Sequence, residues 1–135
     1  MTTLRTARGS FEVAMLPQSD PAAATPGATL GRLRLDKRYH GDLQATAQGQ
    51  MLSAVTATKG SAGYVAIEHV TGTLHGRSGS FVLQHKGVMN RGVQQLEITV
   101  VPDSGTEDLA GLSGSMGIRI TEGRHDYDLN YDLPD

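Results

Sequence analysis

The sequence predicts an all-β protein, a closed eight-stranded antiparallel up-and-down barrel. Three observations carry that expectation. Apolar and polar residues alternate with a period of two along most of the chain, as half-buried strands require. Glycine is abundant at 17 of 135 residues, while Trp is absent and Phe and Tyr are few, a composition suited to short strands and tight turns. A motif of the form L-x-G-x-S-G-S-(F or M) occurs as Leu74–Phe81 and again as Leu109–Met116, an offset of 35 residues. Both copies deliver an apolar residue through a glycine-rich turn into an alternating run, so one strand-entry geometry is built twice.

The strands follow in chain order. Phe11, Val13 and Met15 alternate with polar neighbours, then Leu33 and Leu35 between Arg32, Arg34 and Asp36. Leu43, Ala45, Ala47, Gly49 and Met51 continue into Ser53, Val55 and Ala57. Runs from Gly63 to His75, Gly79 to Met89 and Val93 to Val101 come next, and the last pair begins at Gly114. The clearest alternation closes the chain: His125, Tyr127, Leu129, Tyr131 and Leu133 interleave with Arg124, Asp126, Asp128, Asn130 and Asp132. Two stretches fit no strand, Pro17 to Thr29 and Pro102 to Ser113, and are expected as loops over a barrel mouth, with at most a helical turn at Glu107 to Leu109. Closure removes unpaired edges, which favours a barrel over a two-sheet sandwich. The length suits one domain over residues 1–135.

Paired residues on neighbouring strands share a face, so turns can be tested against one another. A turn at Arg77-Ser78 pairs Val70 with His85 and Glu68 with Gly87; a turn at Asn90-Arg91 pairs Leu96 with His85; a loop at Lys59 to Ala62 sets Ser53 opposite Glu68. All three agree on one inner face. That face holds two residues out of character, Glu68 in the row Tyr64, Ala66, Val70, Gly72, Leu74, and His85, which the repeat aligns with Ile120. A carboxylate so placed needs partners. As diagonal neighbours, Glu68 and His85 are within hydrogen-bond reach, and a buried carboxylate of raised pKa beside a histidine is a candidate catalytic acid/base pair. Ser53, Tyr64 and Leu96 join them as candidate ligand-binding residues, with Gly49, Gly87, Ala45 and Ala47 leaving room. The competing reading is an internal hydrogen-bond network that fixes register.

Other candidates are weaker. His69 and His75 share an outer face but lie six residues apart without local carboxylates, so no metal site is expected. His125 is placed at the mouth, and Lys37, on the inner parity near a loop, is read as a mouth cation or a solvated stem. Neither Gly-Arg-Ser-Gly nor Ser104-Gly-Thr has the strand, glycine loop and helix order of a phosphate cradle, and no serine sits in a G-x-S-x-G elbow. A net charge of −2 offers no basic field for nucleic acid. With no cysteine, disulfides and thiolate chemistry are excluded. Residues 1–20 lack the apolar stretch of a secretory signal and no run of about eighteen apolar residues occurs, so a cytoplasmic location with no membrane partner is expected.

The stretch Gly63 to Gly87, together with Phe11-Glu-Val13, His40-Gly-Asp-Leu43, Val100 to Thr106 and Leu109 to Gly114, resembles the bacterial family catalogued as domain of unknown function 3224. The resemblance covers nearly the whole chain. It implies a small calycin-like barrel similar to that of the allene oxide cyclases, with no established activity. In those cyclases a barrel cavity holds an unsaturated fatty-acid epoxide with a glutamate assisting; this chain shares too few surrounding residues to transfer that substrate or catalytic set, and Glu68 is not mapped onto that glutamate.

Three functions compete on these grounds. The first is a barrel that binds a small, largely apolar metabolite, without a cofactor, oriented by Glu68 and His85. The second is an isomerase or cyclase in which the same pair moves a proton. The third is an assembly role through Val65, Ile67, Val82 and Val88 on the outer face, and exposed β-branched residues there point to a homodimer.

Overall fold

A computed structural model describes residues 2–18 and 23–134. Its strands are β1 (Thr2–Pro17), β2 (Ala23–Thr25), β3 (Ala28–Gly41), β4 (Leu43–Thr56), β5 (Ala62–Leu74), β6 (Arg77–Asn90), β7 (Val93–Val100), β8 (Ser113–Thr121) and β9 (Arg124–Pro134), with a one-turn 3-10 helix at Glu107–Leu109. Each strand from β3 onward pairs antiparallel with the next, β9 pairs with β1, and β1 pairs with β3, which closes an eight-stranded barrel. The ninth, β2, stands where a loop is expected. Pro26-Gly27, with Gly27 at φ 88°, turns the chain back so that Ala23–Thr25 pair with Ala28–Leu30.

The inner face is the expected one, but the register differs at every tested turn. The β5–β6 turn is His75-Gly76, so Leu74 faces Arg77, Ala66 faces His85 and Glu68 faces Leu83. The β6–β7 turn is Arg91-Gly92, which sets His85 against Ile98 and Leu96 against Gly87. Across β4 and β5, Ser53 faces Tyr64 and Gly49 faces Glu68. Two-residue hairpins in the right-twisted sense need positive φ at both central positions, and a glycine is most at ease in the second. His75-Gly76 (φ 48° and 82°), Arg91-Gly92 (49° and 91°) and Glu122-Gly123 (51° and 80°) meet that demand, whereas Arg77-Ser78 and Asn90-Arg91 contain no glycine. Each slip is by an even number of residues, which is why no side chain changed face.

The two ends of the barrel differ. At the end holding the turns 41–42 and 75–76, the segment between β7 and β8 folds across the opening. Leu109 and Leu112 are buried there with Leu43, Leu74 and Phe81. Gly79 makes room: a Cβ on it would lie 2.3 Å from the Thr106 carbonyl and 3.2 Å from Leu109. The repeated motif marks this plug, since Leu74 and Leu109 are both buried and Gly76 and Gly111 both have positive φ (82° and 84°). The same segment covers part of the outer wall. Ser104 Oγ accepts from the Val82 backbone and Val101 donates to the Val82 carbonyl, so Val82 is not part of a free outer face, whereas Val65, Ile67 and Val88 are exposed.

Among the described residues, no segment folds across the opposite end, with the turns 91–92 and 122–123. There β7 and β8 part company: only Ile98 with Met116 and Thr99 with Ser115 are paired. Leu96 and Ile120 stand beyond that short seam, 42% and 65% exposed. The repeat-based alignment of His85 with Ile120 therefore fails in space. His85 is interior at 3% exposure, and Ile120 lies on the rim. No described helix is long and apolar enough to cross a membrane.

Candidate functional site

Four side chains meet in the barrel interior, each from the inward parity of its strand: Lys37 and Tyr39 on β3, Glu68 on β5 and His85 on β6. Glu68 and His85 are brought together as the sequence implies, diagonal across β5 and β6, with His85 Nε2 2.7 Å from Glu68 Oε2. Lys37 Nζ donates to the same oxygen at 2.8 Å, and the Tyr39 hydroxyl donates a short hydrogen bond to Oε1. Lys37 is thus neither a mouth cation nor a solvated stem. It is buried, with its ammonium 4.9 Å from the centre of the Phe11 ring. Gly49 permits the approach of the strands at this level: a Cβ there would lie 2.2 Å from the Ile67 carbonyl and 2.9 Å from the Glu68 Cβ.

Removing a carboxylate and an ammonium from water costs several kcal/mol per ion, and only close pairing with further hydrogen bonds offsets it. Glu68 has both. Burial pushes its pKa up, but the His85 hydrogen bond and the Lys37 charge outweigh it and hold the carboxyl at about 2, below its ordinary value of 4.5. The expected raised pKa is therefore overturned: the His85 hydrogen bond, together with Lys37, which the sequence did not mark as a partner, keeps Glu68 ionised. Burial, then the neighbouring Glu68 charge, raise the Tyr39 pKa well above the phenol range, so Tyr39 stays a donor.

The ionised carboxylate also sets the histidine. With an ionised Glu68 as acceptor, His85 Nε2 must carry hydrogen. Nδ1 has no protein partner among the described residues, yet no fully buried side-chain nitrogen or oxygen is left unpaired. It follows that Nδ1 borders open space.

Above the cluster, towards the open end, lies a cavity of about 470 Å³. Leu33, Met51, Val55, Leu96 and Ile120 contribute apolar walls from four strands, with Ser53, Tyr64 and Gly87 also lining it. The Tyr64 ring lies against Gly87, where a Cβ would come within 2.2 Å of it, and its centroid is 6.4 Å from that of His85. Tyr64 therefore sits between cavity and cluster. Burial, and secondarily the Glu68 charge, raise its pKa, so its hydroxyl keeps its proton. The hydroxyls of Tyr64 and Ser53 have no partner among the described residues.

The candidate residues thus separate into two layers. Glu68 and His85 belong to the buried cluster, while Ser53, Tyr64 and Leu96 line the cavity; Ser53 does not reach Glu68 as expected, because it stands two rungs nearer the mouth. Tyr39 is a member the sequence reading missed. The signal was present, since Lys37 and Tyr39 continue the parity of Leu33 and Leu35. His125 packs its ring 5.0 Å from that of Phe11 near the open rim. His75 lies in a hairpin turn with Nδ1 bonded to the Tyr131 hydroxyl, so it does not share a strand face with His69. No cluster of three or more metal-ligating His, Asp or Glu occurs among the described residues.

Fold and site together define a closed antiparallel β-barrel plugged at one end, cupped at the other, with an ionised hydrogen-bonded cluster beneath the cup. The chain belongs to the DUF3224 family, proteins of unknown function, whose model matches residues 7–131. The crystal structure of a DUF3224 protein of unknown function from Shewanella oneidensis MR-1 is similar throughout. It is 48% identical, with a TM-score of 0.93, covering 98% of this chain and 99% of that one. No curated protein matches the chain.

Proposed function

We propose that the protein binds a small, largely apolar molecule in the open end of its barrel. The observation that carries this reading is the cup itself: about 470 Å³, with apolar side chains from four strands and a few polar groups left without partners. Small-molecule sites have that size and that mixture, the apolar wall supplying affinity and the sparse polar groups orientation. The splayed β7–β8 seam beside Leu96 and Ile120 offers a way in.

The isomerase or cyclase alternative, with Glu68 carrying the proton, is less well supported, because a carboxyl held at about 2 is a poor proton carrier near neutrality. Within the pair, only His85 has a free nitrogen for such a step.

N-phenyl-1-naphthylamine, an uncharged apolar fluorophore, tests the reading by titration. Saturable binding is expected, weakened at least tenfold by Leu96→Asp at the rim, since desolvating a carboxylate costs more than the roughly 1.4 kcal/mol that a decade requires. Ile67→Asp, on the outer face, should leave it unchanged. No saturable binding, or equal binding by wild type and Leu96→Asp, contradicts the cup.

A further inference from the structure

We propose that the parted seam between β7 and β8 is a site for an extended peptide segment, which adds to the edge of β7 and lays alternate apolar side chains into the cup. The inference rests on the cup reading and names the class of molecule the cup receives. Its ground is the backbone. β7 is paired with β6 from Val93 to Val100, and β8 with β9 from Ser113 to Thr121, so neither strand is frayed. Only their mutual ladder stops: towards the rim no rung follows Ile98 with Met116.

Which groups this leaves open follows from the turns. A two-residue hairpin closes on a hydrogen-bonded pair, here Asn90 with Val93 and Thr121 with Arg124, and such pairs recur at every second residue. The Val101 N–H, donated to the Val82 carbonyl, keeps the same alternation. Val93, Gln95 and Glu97 therefore turn their backbone groups to β6, while Gln94 and Leu96 turn theirs to the gap. Across it, Ile118 and Ile120 do the same. The rungs that would join Leu96 to Ile118 and Gln94 to Ile120 are absent among the described residues, and Gln94, Leu96 and Ile120 are exposed.

Proteins commonly cover or blunt such edges. This one instead borders an apolar cavity, lined by Gln94, Gln95 and Leu96 of β7 but by Ile120 alone of β8, which favours β7 as the receiving edge. Donors and acceptors alternating at the strand repeat are matched by another extended backbone; main-chain hydrogen bonds then supply affinity and the pocket for alternate side chains supplies selection. In an antiparallel addition, a residue opposite Leu96 turns its N–H and C=O to β7 and its side chain to the inner face, into the cup.

The uncharged peptide acetyl-Thr-Leu-Thr-Leu-Thr-amide tests this by calorimetric titration, and saturable binding is expected. Replacing both leucine N–H groups by ester oxygens keeps the side chains and removes the two donors aimed at β7. Affinity should fall at least about tenfold, as two hydrogen bonds of ordinary strength require. The same replacement at the third and fifth positions, whose N–H groups point away from β7, should cost less. In the protein, the Leu96 amide should exchange its hydrogen freely when alone and at least about tenfold more slowly under saturating peptide.

Equal affinity of the peptide and its leucine ester overturns the strand pairing and leaves the cup standing. So does a peptide that fails to bind while the uncharged fluorophore succeeds. A loss confined to the threonine esters moves the pairing to β8 and overturns the choice of β7. Slow exchange of Leu96 in the free protein overturns the inference: if it quickens on dilution, a second copy of this chain fills the seam, and if it does not, the seam is closed in solution. Failure of both peptide and fluorophore removes the cup and this inference with it.

Discussion

Glu68→Gln is expected to destabilise the barrel by about 3 to 5 kcal/mol, the cost typical of breaking a buried ion pair by removing one partner. The substitution is nearly isosteric, so packing around Gly49 and Leu83 is unchanged, and the glutamine can still accept from Lys37 or Tyr39. What disappears is the negative charge. Lys37, its side chain only 5% exposed, is left as an uncompensated buried ammonium and must release its proton or draw water inward. Removing that charge as well tests the cause: Lys37→Met in the Glu68→Gln background should recover half or more of the loss. Urea unfolding of wild type, both single variants and the double variant gives the cycle. A loss below about 1 kcal/mol in Glu68→Gln would mean that the pair adds no more than a neutral hydrogen bond.

Acid should expose the same interaction without mutation. The folded-state pKa of Glu68, about 2, lies below the ordinary value of 4.5 that the unfolded chain adopts. Its contribution is therefore fully present above about pH 4.5 and lost as the pH falls through about 2. The shift corresponds to stabilisation on the order of 3 kcal/mol from this one carboxyl. Asp128, drawn down by its hydrogen bond with Arg119, acts in the same direction, but it lies at the surface and is screened. The difference between wild type and Glu68→Gln isolates Glu68. That difference should shrink steadily from pH 5 towards pH 2, and a constant difference over the range would contradict an ionised Glu68.

Face membership was legible in the sequence because it depends only on parity. Glu68, His85, Tyr64 and Ser53 each fall on the inner side whichever even register is chosen, so the pair was found through misplaced turns. Register was less legible. The glycines of His75-Gly76 and Arg91-Gly92 carry the turn signal, and weighing the second central position would have shifted both hairpins into place. The protonation state of Glu68 could not be read without Lys37, whose long apolar stem is as compatible with a solvated end as with a buried one. Nor does the alternation reveal that one mouth is plugged. Leu109 and Leu112 belong to an irregular segment, and only packing shows that they enter the barrel while no described segment crosses the opposite end.

The carbon NMR shift of the Glu68 side-chain carboxyl tests most directly the claim that its buried partners hold this group ionised. As the pH falls from neutrality to about 3 it should keep the carboxylate value, because its pKa lies at about 2. A protonation midpoint at or above the ordinary 4.5 would contradict it.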